Sequence, residues 1–492
     1  MSDQNSSYNQ IFKATSLFGG VQVITVMISI IRSKFIAILL GPTGIGISGL
    51  LSSTILFITT LTDFGIERSA VKNVAEAHSS ENENKISRIV KIVRKLVWYT
   101  GLLGVLITLI FSSFLSKITF GNEDYTFGFM LLSITLLVNQ LTAGKKVILR
   151  GMRKLIYVAK STLWGAIFGL CISIPIYYVW GIKGIVPAIL VTSISTFLAI
   201  NYFSNKVIVK NVKINNRDII LEGKELLSMG FFLSLNSLIV LGASYLVRLY
   251  IRYEGNIEDV GFYNAGFAIV NSYFGMIFSA LTTDYYPRLA GVASNNKKAS
   301  LLINQQSEMT ILIIAPMLTV FIVFVNFLII ILYSKEFLPI AEMMIWAGFG
   351  IYFKAVSWAL GVIFISKGDV KTLFFSELVA TSVMLSLNLS GYKLLGLEGL
   401  GISFLLAYLY AFIQNFVVLR YKYSFAYSSN FYKVFLSQLV LGVLCLFTVE
   451  FIAGFWSYII GSLLIIFSLL LSLKILNQKT DLLSKVIEKY KK

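Results

Sequence analysis

Residues 32–62 read RSKFIAILLGPTGIGISGLLSSTILFITTLT, two apolar runs separated by the short break GPTG at 41–44. A transmembrane α-helix needs about 20 apolar residues, and each run, extended to its apolar limit, reaches that length. Glycine and proline interrupt helices, so the stretch predicts two consecutive membrane-spanning helices joined by a turn. The remainder of the chain repeats this alternation of apolar runs and short polar breaks.

The whole chain therefore predicts an all-α polytopic membrane protein with about 14 transmembrane helices. Its 492 residues are 57% hydrophobic and only 13% charged, too apolar for a water-soluble protein. The predicted spans lie at 14–40, 44–62, 96–115, 126–144, 157–180, 184–205, 228–250, 260–281, 309–332, 338–363, 372–391, 395–418, 434–454 and 456–473.

The net charge is +18, and most of the positively charged residues lie in short loops between the spans. This placement does not indicate a nucleic-acid-binding surface. With the N-terminus in the cytoplasm, 33 of the 42 lysines and arginines fall on the cytoplasmic side and nine do not. This excess of positive charge predicts that both termini are cytoplasmic. No phosphate-binding GxxxxGK[ST], HExxH or GxSxG motif occurs, so neither an enzymatic activity nor a cofactor is predicted.

The break at 41–44 has a counterpart after span seven. The segment RLYIRYEGNIEDVGFYNAGFAI at 248–269 resembles 32–51 at an offset of about 216 residues. The repeat predicts two six-helix lobes in a pseudo-two-fold arrangement, enclosing a central cavity, with two C-terminal helices added. The predicted parts are an N-terminal lobe at 1–210, a cytoplasmic linker at 211–227, a C-terminal lobe at 228–420, and two further spans with a tail at 421–492.

Four of the nine off-side cations occupy repeat-related positions, namely Arg32, Lys34, Arg248 and Arg252. A cation inside a membrane is costly, so it faces a wet cavity or snorkels to the interface, and both interpretations remain open. Four cations in one cavity would bind an anion such as a phosphate or diphosphate.

Other ionisable residues in or beside the spans are candidates for gating or ion coupling. Asp63 and Asp284 end spans two and eight, and each is followed shortly by an arginine. They are either solvated residues at helix ends or parts of a gate on the inward side. Lys354 in span ten and Glu377 in span eleven could couple transport to H⁺ or Na⁺.

Three motifs resemble the polysaccharide-type flippases of the multidrug/oligosaccharidyl-lipid/polysaccharide superfamily, specifically the Wzx-type O-antigen flippases. They are RSKFIAILLGPTGIGISGLLSS at 32–53, LTDFGIERSAVKNVAEA at 61–77 and GKKVILRGMRKLIYVAK at 144–160.

The resemblance implies alternating access and a substrate made of undecaprenyl diphosphate joined to an oligosaccharide repeat unit. It implies that Arg32, Lys34, Arg248 and Arg252 match the cations that bind the diphosphate, and that a polysaccharide polymerase and a chain-length regulator act as partners. The alternative is an ion-coupled multidrug exporter of the same superfamily, which would want an acidic, aromatic cavity.

Overall fold

The computed structural model describes the backbone of residues 2–80, 82–207, 212, 214–452 and 454–480, and their side chains from residue 20 on except at 216–221, 225, 229, 232, 233 and 480. This part of the chain consists of α-helices and two short 3₁₀-helices, without a β-strand, which confirms the predicted fold class. The α-helices are α1 (Ser2–Asp63), α2 (Ile66–Ser79), α3 (Glu83–Ile110), α4 (Ser112–Phe120), α5 (Thr126–Gly151), α6 (Leu155–Trp180), α7 (Ile185–Ser204), α8 (Asn216–Glu254), α9 (Ile257–Val292), α10 (Asn296–Val323), α11 (Val325–Leu332), α12 (Ala341–Ser366), α13 (Val370–Tyr423), α14 (Ser429–Phe451) and α15 (Phe455–Thr480), and the 3₁₀-helices are Gly181–Gly184 and Lys335–Ile340.

The chain turns at a single glycine in three places. Gly41 within α1 has φ 63° and ψ −166°, Gly181 after α6 has φ 55° and ψ −135°, and Gly396 within α13 has φ 59° and ψ −135°. Residues other than glycine rarely adopt such angles, which explains why glycine stands at each turn.

Eleven helical segments in the described residues are long and apolar enough to cross a membrane. Three of them, of 44, 50 and 54 residues, contain one of the glycine turns. At 1.5 Å per residue each of these is long enough for two crossings. Counting those three twice gives the 14 crossings predicted from the sequence.

Helix boundaries in the first half of the chain recur in the second half. Phe111 separates α3 from α4 at φ −96° and ψ 12°, and Phe324 separates α10 from α11 at φ −106° and ψ 19°. Asn82 and Asn295 cap α3 and α10 by accepting hydrogen bonds from the backbone N–H groups two and three residues on. Both pairs lie 213 residues apart.

The C-terminal ends of α5 and α12 have the same backbone geometry and lie 215 residues apart. Arg153 and Gly368 take left-handed φ values of 57° and 68°. In each case the following N–H donates to the carbonyl five residues earlier, Lys154 N to Leu149 O and Asp369 N to Phe364 O, both at 2.8 Å. This is the Schellman end of a helix. The repeat offset is thus 213–215 residues, close to that predicted.

The chain divides into two compact units, Met1–Gly261 and Phe262–Lys492. By the repeat, α8 opens the second half, yet it packs in the first unit against α1, α2, α3 and α4. The lobe boundaries predicted from the sequence stay a prediction. Part of the predicted linker falls outside the described residues, and the remainder enters α8, which begins at Asn216.

Glycines let the turn between α1 and α2 approach α8, and let α1 approach the first residue of α9, inside the first unit. Gly65, at φ 68° before α2, lies so close to Gly230 of α8 that a Cβ on either residue would overlap the backbone of the other. Near the other end of α8, a Cβ on Gly46 would overlap the backbone of Ile257. The absence of side chains at these points lets the backbones meet.

Candidate functional site

Arg248 and Arg252, predicted to bind an anion, lie near the end of α8 in the first unit. Arg248 Nη1 donates to the carbonyl oxygen and the Oγ of Ser244, at 2.8 Å and 2.5 Å. Arg252 Nη2 donates to the carbonyl oxygen of Phe120, the last residue of α4. Arg252 therefore ties α8 to α4, and neither arginine lines the large cavity of this unit.

Arg32 and Lys34 lie on the first part of α1. A methyl group added at Gly169 of α6 would lie 3.0 Å from Arg32 Nη2 and 3.0 Å from Thr192 Cγ2. Because Thr192 lines the cavity of the first unit, the guanidinium of Arg32 lies near one residue of the cavity wall. Its Nε is buried without a hydrogen-bond partner among the described residues, whereas Lys34 is half-buried.

The first unit encloses a cavity of about 1380 Å³, here called the first-unit cavity. Its wall comes from α1, α2, α5, α7 and α8. Of its 25 lining residues, 13 carry a hydroxyl or amide side chain, five are charged and seven are apolar. The charged residues are Asp63, Glu67, Arg68, Lys146 and Arg150. A wall of this polarity inside an apolar bundle is suited to a polar ligand.

Asp63 ends α1 and takes part in a hydrogen-bond chain at the wall of this cavity. Gln140 Nε2 donates to Asp63 Oδ1 at 2.5 Å and to Thr100 Oγ1 at 3.0 Å. Gln140 is 3% exposed, so the amide holds the carboxylate from inside the protein. Arg68, the arginine expected beside Asp63, instead donates from Nη2 to Ser237 Oγ of α8 at 2.6 Å.

The cationic end of the first-unit cavity carries one more positive charge than negative. Arg150 Nη1 donates to Glu67 Oε1 at 2.7 Å, joining α5 to α2. Lys146, one turn earlier on α5, has neither an ion pair nor a hydrogen bond within the described residues. With Arg68, these three cations face the carboxylates of Asp63 and Glu67, so their formal sum is +1.

Most of the hydroxyl and amide wall was not identified from the sequence, although a signal exists. Seven positions of α5 line the cavity, and five of them are spaced by four, three, four and four residues, namely Thr135, Asn139, Thr142, Lys146 and Arg150; the other two are Gln140 and Ala143. This spacing places the five on one face of the helix. Thr59 Oγ1 and Asn236 Oδ1 in the same wall are buried and have no hydrogen-bond partner among the described residues, so the wall can accept and donate further hydrogen bonds.

The other candidates lie in the second unit. Asp284 pairs with Arg288 one turn later on α9, at 2.9 Å, and both side chains are more than half exposed. This is the arrangement of a solvated helix end. Glu377 is half-buried on α13, next to Ser376, whose carbonyl accepts from Gln414 Nε2 at 3.0 Å.

Lys354 lies among aromatic rings in the middle of α12. Its Nζ is 5.0 Å from the ring centre of Tyr408, 5.7 Å from that of Phe404 and 5.9 Å from that of Phe278. These distances are within the range of cation–π attraction. Among the described residues, neither a carboxylate nor a hydrogen-bond acceptor contacts the ammonium.

A family model described as "Polysaccharide biosynthesis protein" matches residues 11–293. The chain is 22% identical over 354 residues to a lipid III flippase of Escherichia coli (strain K12), covering 70% of this chain and 82% of that protein. It matches the lipid III flippase of Shigella flexneri to the same extent.

Solved structures of transporters share the fold. One is the lipid II flippase MurJ in an inward closed conformation, with a TM-score of 0.72 and 13% identity over 94% of this chain and 99% of that one. Another is an inward-facing multidrug resistance transporter of the MATE family in the MOP superfamily, with a TM-score of 0.66 and 17% identity over 82% and 98%. At these identities the likenesses show a shared fold, which agrees with the all-α membrane fold predicted from the sequence.

Proposed function

The chain belongs to the polysaccharide biosynthesis protein family, and on this premise we propose that it is a flippase for lipid-linked oligosaccharides. The substrate is an undecaprenyl-diphosphate-linked O-antigen repeat unit, moved from the cytoplasmic to the periplasmic leaflet of the inner membrane by alternating access. The sequence relatives named as lipid III flippases support this class of substrate.

The first-unit cavity is the observation that carries the proposal. Sugar hydroxyls and phosphates cannot enter hydrocarbon without losing their hydrogen bonds to water. The cavity replaces those bonds with hydroxyl and amide side chains along about 1380 Å³ of space. The polyprenyl tail can stay in the bilayer while the head group passes along this wall.

Charge supports a sequence of binding events. The predicted topology places the end of α1 at Asp63 on the cytoplasmic side, where Arg68, Lys146 and Arg150 lie together. These cations receive the diphosphate first. Arg32, Lys34, Arg248 and Arg252 lie nearer the opposite end of the helices and act on the diphosphate later, after their present contacts have changed.

Asp63, Asp284, Lys354 and Glu377 remain our candidates for gating or for coupling to H⁺ or Na⁺. Asp63 suits a gate best, because Gln140 ties it to α5 at the mouth that we assign to the cytoplasm. A polysaccharide polymerase and a chain-length regulator would consume the product on the periplasmic side and so drive transport forward.

The test is the amount of lipid-linked repeat unit in the inner leaflet of cells that lack the gene, measured by mass spectrometry of lipid extracts. We expect accumulation that the wild-type chain relieves. Arg248→Ala should fail to relieve it at unchanged membrane abundance, and Arg248→Lys should relieve it only partly because lysine cannot form a bidentate contact. Arg420→Ala, at an exposed position of α13, is the matched control and should behave as wild type.

Absence of accumulation in the deletion strain would refute the flippase proposal and favour the multidrug exporter, whose structures share this fold. Full activity of Arg248→Ala would refute only the role of the α8 arginine.

A further inference from the structure

The position of Lys354 excludes the simplest explanation of a lysine in a membrane span, which is that its side chain reaches the membrane interface. It lies about 18 Å from either end of α12 along the helix axis. A lysine side chain is too short to reach the interface from there, so Lys354 cannot snorkel. A charge at this depth must be stabilised locally or face a wet space.

Aromatic rings supply that local stabilisation in an unusual form. Tyr408, Phe404 and Phe278 attract the ammonium through their faces. Unlike a carboxylate partner, a ring carries no net charge, so it does not neutralise the ammonium. Lys354 can therefore still attract an anionic ligand.

The internal repeat indicates that this position faces a substrate path. Asn139 of α5 lies 215 residues before Lys354, the offset that relates the matching ends of α5 and α12. Asn139 lines the first-unit cavity. The same position of the repeated helix thus carries an amide in one unit and an ammonium in the other.

The kind of anion follows from the charge and the surroundings. A diphosphate presents many acceptor oxygens and matches the cluster of Arg68, Lys146 and Arg150, whose side chains together offer many N–H donors. Lys354 offers one positive charge beside the half-buried ring of Tyr408 and the ring of Phe404. A single ammonium next to an apolar face matches the carboxylate of an acidic sugar whose ring packs on Tyr408, while the 6% exposed ring of Phe404 supports the ammonium from inside the protein.

We propose that Lys354, together with Tyr408 and Phe404, forms a binding position for an acidic sugar, so that the transported glycan contains a carboxylate-bearing residue such as a uronic acid. The proposal rests on the flippase function and names the class of glycan. In this role Lys354 selects the head group of the substrate.

The test uses the full-length protein purified in detergent, with glucuronate, glucose and inorganic diphosphate as probes in ligand-observed NMR. Wild type should bind glucuronate at least about tenfold more tightly than glucose, because a hydrogen bond to a charged group contributes that much discrimination. Lys354→Gln should lose this preference, and Lys354→Arg should keep most of it. Lys371→Gln, an exposed lysine on α13, should leave it unchanged.

Diphosphate should not displace glucuronate, since the two occupy different positions. Displacement by diphosphate, equal affinity for glucuronate and glucose, or an unchanged preference in well-folded Lys354→Gln would each overturn the proposal. These results leave the accumulation assay unaffected, so failure of the sugar assignment can be told from failure of the flippase function.

Discussion

Arg153 adopts a backbone conformation that is favourable for glycine, and the equivalent position of the repeat is indeed a glycine, Gly368. Both residues end a helix in the left-handed region, at φ 57° and φ 68°. An L-residue with a Cβ is strained there, whereas glycine is not. Arg153 is exposed and has neither an ion pair nor a hydrogen bond through its side chain in the described part of the chain.

Replacing Arg153 by glycine should therefore stabilise the protein by about 0.5–1 kcal/mol. The reciprocal change, Gly368→Ala, should destabilise it by at least that amount, since nothing but the backbone angle opposes the new methyl group. Thermal unfolding of the purified protein in detergent measures both changes. Shifts in the same direction would contradict this account.

Sequence reasoning at the residue scale found charges but missed the polar wall. Isolated cations in apolar runs stand out because they are costly, and this led to Arg32 and Lys354. Serines and threonines in a membrane helix are common, because they can bond to their own backbone, as Thr142 does to Val138 O at 2.8 Å. Only the fold shows which of them share one cavity.

At the scale of helices, the turn at Gly41 was predictable and its geometry was not. The GPTG break indicated a turn between two spans, and the structure makes this turn at one non-helical residue, Gly41, at φ 63° and ψ −166°. This region of backbone angles is almost exclusive to glycine. Proline at the next position disfavours the helical conformation of Gly41 and so fixes the site of the kink.

Gly41→Ala should cost about 1–3 kcal/mol of stability, because alanine must adopt the strained angles or straighten α1. Gly20→Ala is the matched control on the same helix, where an added methyl group meets no atom within 4 Å. The control should be neutral or slightly stabilising. A similar loss in both variants, measured by thermal unfolding, would argue against strain at the kink.

The N-cap of α13 predicts a dependence on pH. Hydrogen bonds from Lys422 and Tyr423 hold the pKa of the Asp369 carboxyl well below its usual range. In the unfolded chain an aspartate carboxyl has a pKa of about 4, higher than in the folded protein. The charged carboxylate of Asp369 therefore stabilises the fold above about pH 4, and this stabilisation is lost as the pH falls further. Asparagine also caps helices, so Asp369→Asn removes the charge and keeps the cap.

We expect the stability difference between wild type and Asp369→Asn to be constant between about pH 7 and pH 5 and to shrink below about pH 4. Thermal unfolding across this range measures it. A difference that already disappears near pH 6 would show that another group is responsible.

For the whole molecule, composition and periodicity predicted the class of fold and the number of crossings. This was possible because few structures can pair all backbone N–H and C=O groups inside a lipid bilayer. The assignment of α8 to the first unit could not be predicted. It depends on close contacts such as that of Gly65 with Gly230, which leave no periodic signal in the sequence.

The charge of the first-unit cavity predicts that the protein does not export cationic dyes. Three cations face two carboxylates there, so a permanently cationic ligand is repelled. Cells that overproduce the chain should accumulate ethidium at the same rate as cells with an empty vector, measured by fluorescence. Energy-dependent efflux of the dye would instead support the exporter function.

The three glycine turns have a consequence for what periplasmic proteins can reach. In the predicted topology Gly41, Gly181 and Gly396 follow the first, fifth and eleventh crossings, which assigns each of them to the periplasmic side. Where a chain reverses at one residue, no loop is left to project. Periplasmic proteases would meet helix ends at three of the connections on this side, with almost no free peptide to cut.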